Sequence, residues 1–166
     1  MKEVAITTFK HHKDMVILSV IFVGLMIPNV IIYAQHAIHE IEASQKSAIE
    51  GKVNSSTRQF SEGIFFGLTA IGYVITTVFI LLKPNNVIPY YVLLLGTVAI
   101  IIVYYFRTTT GIPILGTDLV IKEYLVDYND VITKIAQQIF VIPVAMMLQK
   151  VYDMKNQKGE YLTTKR

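Results

Sequence analysis

The chain has 166 residues, of which 53% are hydrophobic and only 16% are charged, whereas soluble domains carry about 25% charged residues. A chain this short cannot bury so much apolar surface in its own core, so lipid has to cover part of it. Cysteine is absent, which excludes disulfides, thiolate zinc sites and iron–sulfur clusters. The net charge of +3 is modest and shows no dense basic patch, so nucleic acid is not an expected partner.

The first long apolar run, residues 15–34, contains no charged residue. As a helix it spans about 30 Å, the thickness of the hydrocarbon core of a bilayer. It is longer than the apolar core of a signal peptide, which predicts a retained membrane helix. A helical pattern of apolar residues continues to residue 50, so we expect this helix to extend beyond the membrane and to stop at Gly51. The sequence Asn-Ser-Ser-Thr at 54–57 predicts a loop.

Two further apolar runs, residues 63–82 and 87–106, predict the second and third spans. The turn at 83–86 is so short that these helices must be antiparallel neighbours. Asp118 predicts the start of an amphipathic helix over 119–130 that lies on the membrane surface. A re-entrant loop at 111–116 is the alternative for the breaker-rich segment before it.

Residues 131–149 predict a fourth span, although polar residues interrupt its start and Pro143 lies near its middle. An interfacial helix, which would leave three spans, is the alternative. The charged tail, residues 150–166, is expected to be partly disordered. The predicted fold is thus all-α: one membrane domain over residues 1–166, a helical bundle of about four transmembrane helices with an extended first helix and an outer interfacial helix.

Four spans place both termini and the 83–86 turn on one side of the membrane. That side holds nine Lys and Arg residues and the other side six, so the positive-inside rule predicts cytoplasmic termini in a multi-pass cell-membrane protein. The outer side holds eight Asp and Glu residues against four on the inner side. Any site is therefore expected at the outer interface.

One group of side chains suits a metal ion. His36 shares a helix face with His39 and Glu40, and imidazole with carboxylate suits zinc or copper(II). One helix supplies at most three ligands, so Glu123, Asp127 or Asp130, from the same predicted side, would have to complete the site. A solvated helix end with interfacial histidines is the alternative, and no cofactor is predicted outright. The remaining sequence indicates no catalytic site of the chain's own.

Other polar and small residues within the spans indicate helix packing or a polar path. Gly63 and Gly67 form a GxxxG pattern, which allows close approach of another helix, inside the chain or in another subunit. Asn29 begins a polar stripe, continued by Tyr33, His36 and Glu40, that favours helix–helix contact or a hydrated cleft. At the outer start of the last span, Lys134 and Gln138 share a face, and polar residues at membrane depth are often functional.

A resemblance adds to this interpretation. The stretch 89–93, then Gly96-Thr97, Arg107 and 111–113, resembles small archaeal membrane proteins, among them the extra subunits of archaeal ammonia monooxygenase. It covers about a quarter of the chain and carries over no ligand residues. The resemblance implies a helical accessory subunit with copper chemistry in its partners.

Three hypotheses for function follow. The first is a structural or accessory subunit of a larger membrane complex, with other membrane subunits or further copies of the chain as partners in the bilayer. The second is a small oligomeric transporter or channel that uses the stripe from Asn29 and Gln138. The third is a membrane metal-handling protein that uses His36 and His39.

Overall fold

The computed structural model describes residues 2–114, 118–121 and 128–163, which form a helical bundle with one small β-hairpin. Three helices in this described part are long and apolar enough to cross a membrane, which confirms the predicted all-α membrane bundle. Crossing by the fourth helix stays a prediction. The elements in chain order are α1 (Lys2–Ile49), α2 (Val53–Leu82), α3 (Ile88–Thr109), β1 (Ile112–Pro113), β2 (Val120–Ile121) and α4 (Tyr128–Thr163).

A tight turn at Gly51 joins α1 to α2. Gly51 has φ +75°, a left-handed conformation that costs glycine little. Its N–H donates to the Ala48 carbonyl at 3.1 Å, and the Lys52 N–H donates to the Ser47 carbonyl at 2.9 Å. This pair of bonds is the Schellman motif, which ends a helix and satisfies its last carbonyls. The extended first helix and its stop therefore lie where the sequence predicts them.

The loop predicted at 54–57 is wrong, because α2 already begins at Val53. Ser56 of this segment contacts the neighbouring helix instead of forming a turn, with its hydroxyl 3.1 Å from that of Ser44. Ser44 Oγ donates to the Ser56 carbonyl at 2.9 Å, and the Gln59 side-chain amide lies 2.8 Å from Ser47 Oγ. Hydrogen bonds across the two helices thus replace the local bonds that favour serine in loops.

The close contact between α1 and α2 centres on Gly63. A Cβ atom at this position would lie 2.8 Å from Ile41 Cγ1 and 3.1 Å from the Ala37 carbonyl oxygen. Gly67, one turn later, leaves an ordinary 3.7 Å to the Ala37 Cβ. The helix that approaches the GxxxG face is therefore α1 of the same chain.

The segment after α3 differs from the prediction. Asp118 does not begin a helix at Leu119, because Val120 and Ile121 pair as a strand with Ile112 and Pro113. Ile112 lies opposite Ile121 in this antiparallel hairpin, and the Ile114 N–H donates to the Leu119 carbonyl at 2.9 Å. Residues 122–127 of the predicted interfacial helix lie outside the described part of the chain.

Helix α4 runs antiparallel to α1 and is longer than the predicted span. Its buried residues Phe140, Val144 and Met147 pack in one apolar core with Phe22 and Met26 of α1.

The tail that the sequence predicts to be partly disordered is described as a continuation of α4 to Thr163, and its flexibility stays a prediction. Three contacts hold the start of this segment against the bundle. Val151 is fully buried, Lys150 Nζ lies 2.7 Å from the Asp14 carboxylate, and the Tyr152 hydroxyl lies 2.8 Å from that of Tyr91. These contacts place the C-terminal part of α4 beside the early part of α1 and the start of α3.

We expect Gly63→Ala to destabilise the protein by about 1–3 kcal/mol, because the added methyl group meets helix backbone that cannot move aside. Gly72→Ala is the matched control, since its Cβ meets nothing within 4 Å and alanine favours a helix. The measurement is the free energy of unfolding of each variant in detergent. Equal stability of the two variants would show that Gly63 is not in close contact with α1.

Candidate functional site

The predicted metal ligands are only partly brought together. His36 is half-buried and its ring packs on that of Phe66, with centroids 5.3 Å apart, while His39 is exposed and Glu40 is half-buried. Glu123 and Asp127 lie outside the described residues, as does the side chain of Asp130. Within the described part of the chain, no group of three or more histidine or acidic side chains is placed to hold a metal ion.

The polar stripe of α1 faces the interior of the bundle. Asn29 is fully buried and Tyr33 is 2% exposed. The Asn29 amide donates to the Leu25 carbonyl of its own helix at 2.8 Å, so this bond does not join two helices. Its Oδ1 is buried with no hydrogen-bond partner among the described residues. The side chains of Lys134 and Gln138 on α4 fall outside the described part.

Gln137, the neighbour of the predicted Gln138, is the polar centre of the bundle. It is fully buried, and its Nε2 donates to the Tyr33 hydroxyl at 2.6 Å and to the Tyr73 hydroxyl at 3.0 Å. The Tyr73 hydroxyl lies 3.5 Å from Thr97 Oγ1, which donates to the Leu93 carbonyl at 2.8 Å. Side chains from all four helices therefore form one buried network.

A signal for Gln137 is present in the sequence. Gln137 begins a series spaced at steps of three, four, three and four, which is the spacing of one helix face. The series continues with Phe140, Val144, Met147 and Val151. All four of those residues are fully buried. Gln138 lies about 100° away around the helix and does not share this spacing.

A second polar contact joins α2 to the C-terminal end of α3. Arg107 Nη2 lies 2.8 Å from Glu62 Oε2, and the two side chains are only 13% and 10% exposed. Arg58, one turn before Glu62, approaches the same carboxylate at 3.7 Å. The Arg107 guanidinium also lies 5.2 Å from the ring centroid of Phe66, within the range of a cation–π contact. This pair joins residues that are 45 positions apart in the sequence.

The ion pair borders a cavity of about 190 Å³ between α2, α3 and the β-hairpin. Its walls are almost entirely apolar. Phe65 and Phe66 come from α2, Ile100 and Val103 from α3, and Ile112 and Ile121 from the two strands. Tyr33 also reaches the wall, so the cavity touches the buried network of Gln137. The arrangement can hold an apolar group next to a neutralised pair of charges.

Comparison with protein-family models, curated proteins and solved structures found no match to this chain. No comparison therefore supports the resemblance to the ammonia monooxygenase subunits or an archaeal origin. Inferences about function therefore rest on the chemistry and placement of the described residues.

We expect Gln137→Leu to destabilise the bundle by about 1–2 kcal/mol, since two tyrosine hydroxyls lose a hydrogen-bond partner where water is scarce. Gln149→Leu is the matched control, because Gln149 is exposed on the same helix and its replacement should change stability by less than about 0.5 kcal/mol. Unfolding of both variants in detergent micelles measures the difference. A Gln137→Leu variant as stable as wild type would contradict the role assigned to this amide.

Proposed function

We propose that the protein is a structural or accessory subunit of a larger integral membrane complex. The observation that supports it is the outer hairpin, defined here as residues 35–62, the part of α1 and α2 between the first two apolar runs. The α1 portion of this hairpin extends about 22 Å past Ala34 at 1.5 Å per residue. A rigid projection of this kind is suited to contact with another protein.

The surface of the outer hairpin is unusual for a segment outside the hydrocarbon core. Ile49 is 88% exposed and Val53 is 69% exposed, on either side of the turn at Gly51. Ile38 and Phe60, lower on the hairpin, are 58% and 53% exposed. Single exposed apolar residues are common, but apolar side chains that flank one tight turn form a tip that a partner would cover.

The interior of the same hairpin supports a docking role rather than a hinge. The Gly63 contact, the Schellman turn and the bonds from Ser44 and Ser47 hold the two helices together along their length. A pre-organised surface loses little conformational entropy on binding. Ammonia monooxygenase is the complex that the resemblance suggests, while the oligomeric transporter or channel and the metal-handling protein are the alternatives.

The proposal includes a topology in the cell membrane with both termini in the cytoplasm, on the basis of the nine-to-six distribution of Lys and Arg. The outer hairpin then faces away from the cytoplasm. Because the chain has no cysteine, single introduced cysteines report this topology without background labelling.

We expect a cysteine at Ser55 to react with a membrane-impermeant maleimide added to intact cells. A cysteine at Asn85, in the turn between α2 and α3, should react only after the cells are permeabilised. Both positions are exposed in the bundle, so reactivity depends on the side of the membrane. The opposite pattern would place the outer hairpin in the cytoplasm. Labelling of both sites in intact cells would contradict the proposed topology.

For assembly, we expect the protein purified from native membranes in mild detergent to elute with other subunits. The double variant Ile49→Ser/Val53→Ser should release it, because these substitutions remove the apolar tip without touching the α1–α2 contact. Val74→Ser/Val78→Ser is the matched control on the exposed face of α2 within the apolar run. Size-exclusion chromatography with mass spectrometry measures the outcome. A wild-type protein that elutes alone, as an 18.8 kDa chain with its micelle, would contradict the proposal.

A further inference from the structure

The cavity between α2, α3 and the β-hairpin lies in the part of the bundle that lipid surrounds. Its walls at Phe65, Phe66, Ile100 and Val103 belong to two of the helices that are apolar enough to cross a membrane. Phe65 is 37% exposed and Ile100 is half-buried, so the cavity opens to the outer surface of the bundle. The molecules that reach this opening at this depth are the hydrocarbon chains of lipids.

The size and the apolar lining of the cavity indicate which kind of molecule it can hold. An apolar cavity of about 150 Å³ stays dry and takes up benzene. The present cavity is somewhat larger, at about 190 Å³, and its lining offers water few hydrogen-bond partners. A segment of a hydrocarbon chain fills such a space without leaving polar groups unpaired.

Charged side chains lie at the outer rim of the cavity, where a lipid headgroup would be. Arg107 and Arg58 both approach the Glu62 carboxylate, at 2.8 Å and 3.7 Å, and Glu40 acts electrostatically on the same group. Glu62 and Arg107 line the cavity, and Arg58 and Glu40 act on the same Glu62 carboxylate, which gives two positive and two negative side chains around it. A balanced set of charges complements a headgroup that itself carries one charge of each sign.

We propose that this cavity is a binding site for one acyl chain of a zwitterionic phospholipid, whose headgroup lies beside Arg58 and Arg107. The ion pair of Glu62 with Arg107 joins the outer ends of α2 and α3 and keeps the cavity open between them. Ile112 of strand β1 and Ile121 of strand β2 also line the cavity. The site is separate from the docking surface proposed at the tip of the outer hairpin, since Ile49 and Val53 do not line the cavity.

The test uses the full chain in phosphatidylcholine vesicles that contain a small share of phosphatidylcholine with a diazirine in mid-chain. After illumination, mass spectrometry maps the labelled residues. We expect labelling per residue at 62–66 and 100–107 to exceed that of the exposed stretch 74–78 by about threefold, because an enclosed chain stays in contact longer than bulk lipid. Uniform labelling of all exposed apolar stretches would overturn the proposal.

Val103→Phe fills the cavity and should reduce labelling at 62–66 and 100–107 to the level of 74–78. Val98→Phe is the matched control, because Val98 is 51% exposed on α3 and does not line the cavity. Ile100→Phe, a second lining variant, should act like Val103→Phe, and unchanged labelling at 74–78 shows that each variant is still folded in the membrane. Labelling of the cavity that persists in both lining variants would overturn the site.

Discussion

The buried amide of Gln137 determines how α4 fits against the other helices. Gln137 is fully buried, and a polar group shielded from water must find its hydrogen-bond partners within the protein. The Tyr33 and Tyr73 hydroxyls are those partners, one on α1 and one on α2. A rotation of α4 by a single residue would turn this amide away from both hydroxyls. The network therefore selects the same rotational setting of α4 that buries its apolar face at Phe140, Val144 and Met147.

The two polar contacts lie in parts of the bundle that differ in how tightly they are packed. The Gln137 network lies inside, where Phe22, Phe140 and Tyr73 pack around it. The contact between Glu62 of α2 and Arg107, near the C-terminal end of α3, borders an apolar cavity. The proposed lipid site depends on this difference, because a tightly packed interior would leave no space for an acyl chain.

Much of the fold was predictable because hydropathy is a local property. The apolar runs at 63–82 and 87–106 end within a few residues of α2 and α3, and Gly51 ends the first helix as its conformation requires. The two-residue strands β1 and β2 were not predictable, since so short a pair has no periodic pattern. The helix over 150–163 was not predicted from the sequence, because contacts with Asp14 and Tyr91, which are distant in the chain, hold its start.

The candidate site was harder to predict for a related reason. Which of Gln137 and Gln138 faces inward depends on the rotation of α4, and only the spacing to Phe140 and Val144 reports it. Glu62 and Arg107 each flank an apolar run, but their contact depends on how α2 and α3 lean towards each other. Asn29 is fully buried and its amide donates to its own helix, so its role in packing between helices stays a prediction.

Helix α1 has a mechanical consequence for the whole molecule. It contains 48 residues and is about 72 Å long, more than twice the thickness of the hydrocarbon core of a bilayer. One unbroken rod therefore passes from the region of Asp14, beside α4, to the turn at Gly51. A tilt of this rod displaces both of its ends in opposite directions, so a force applied on one face of the membrane is delivered to the other through a single piece of secondary structure.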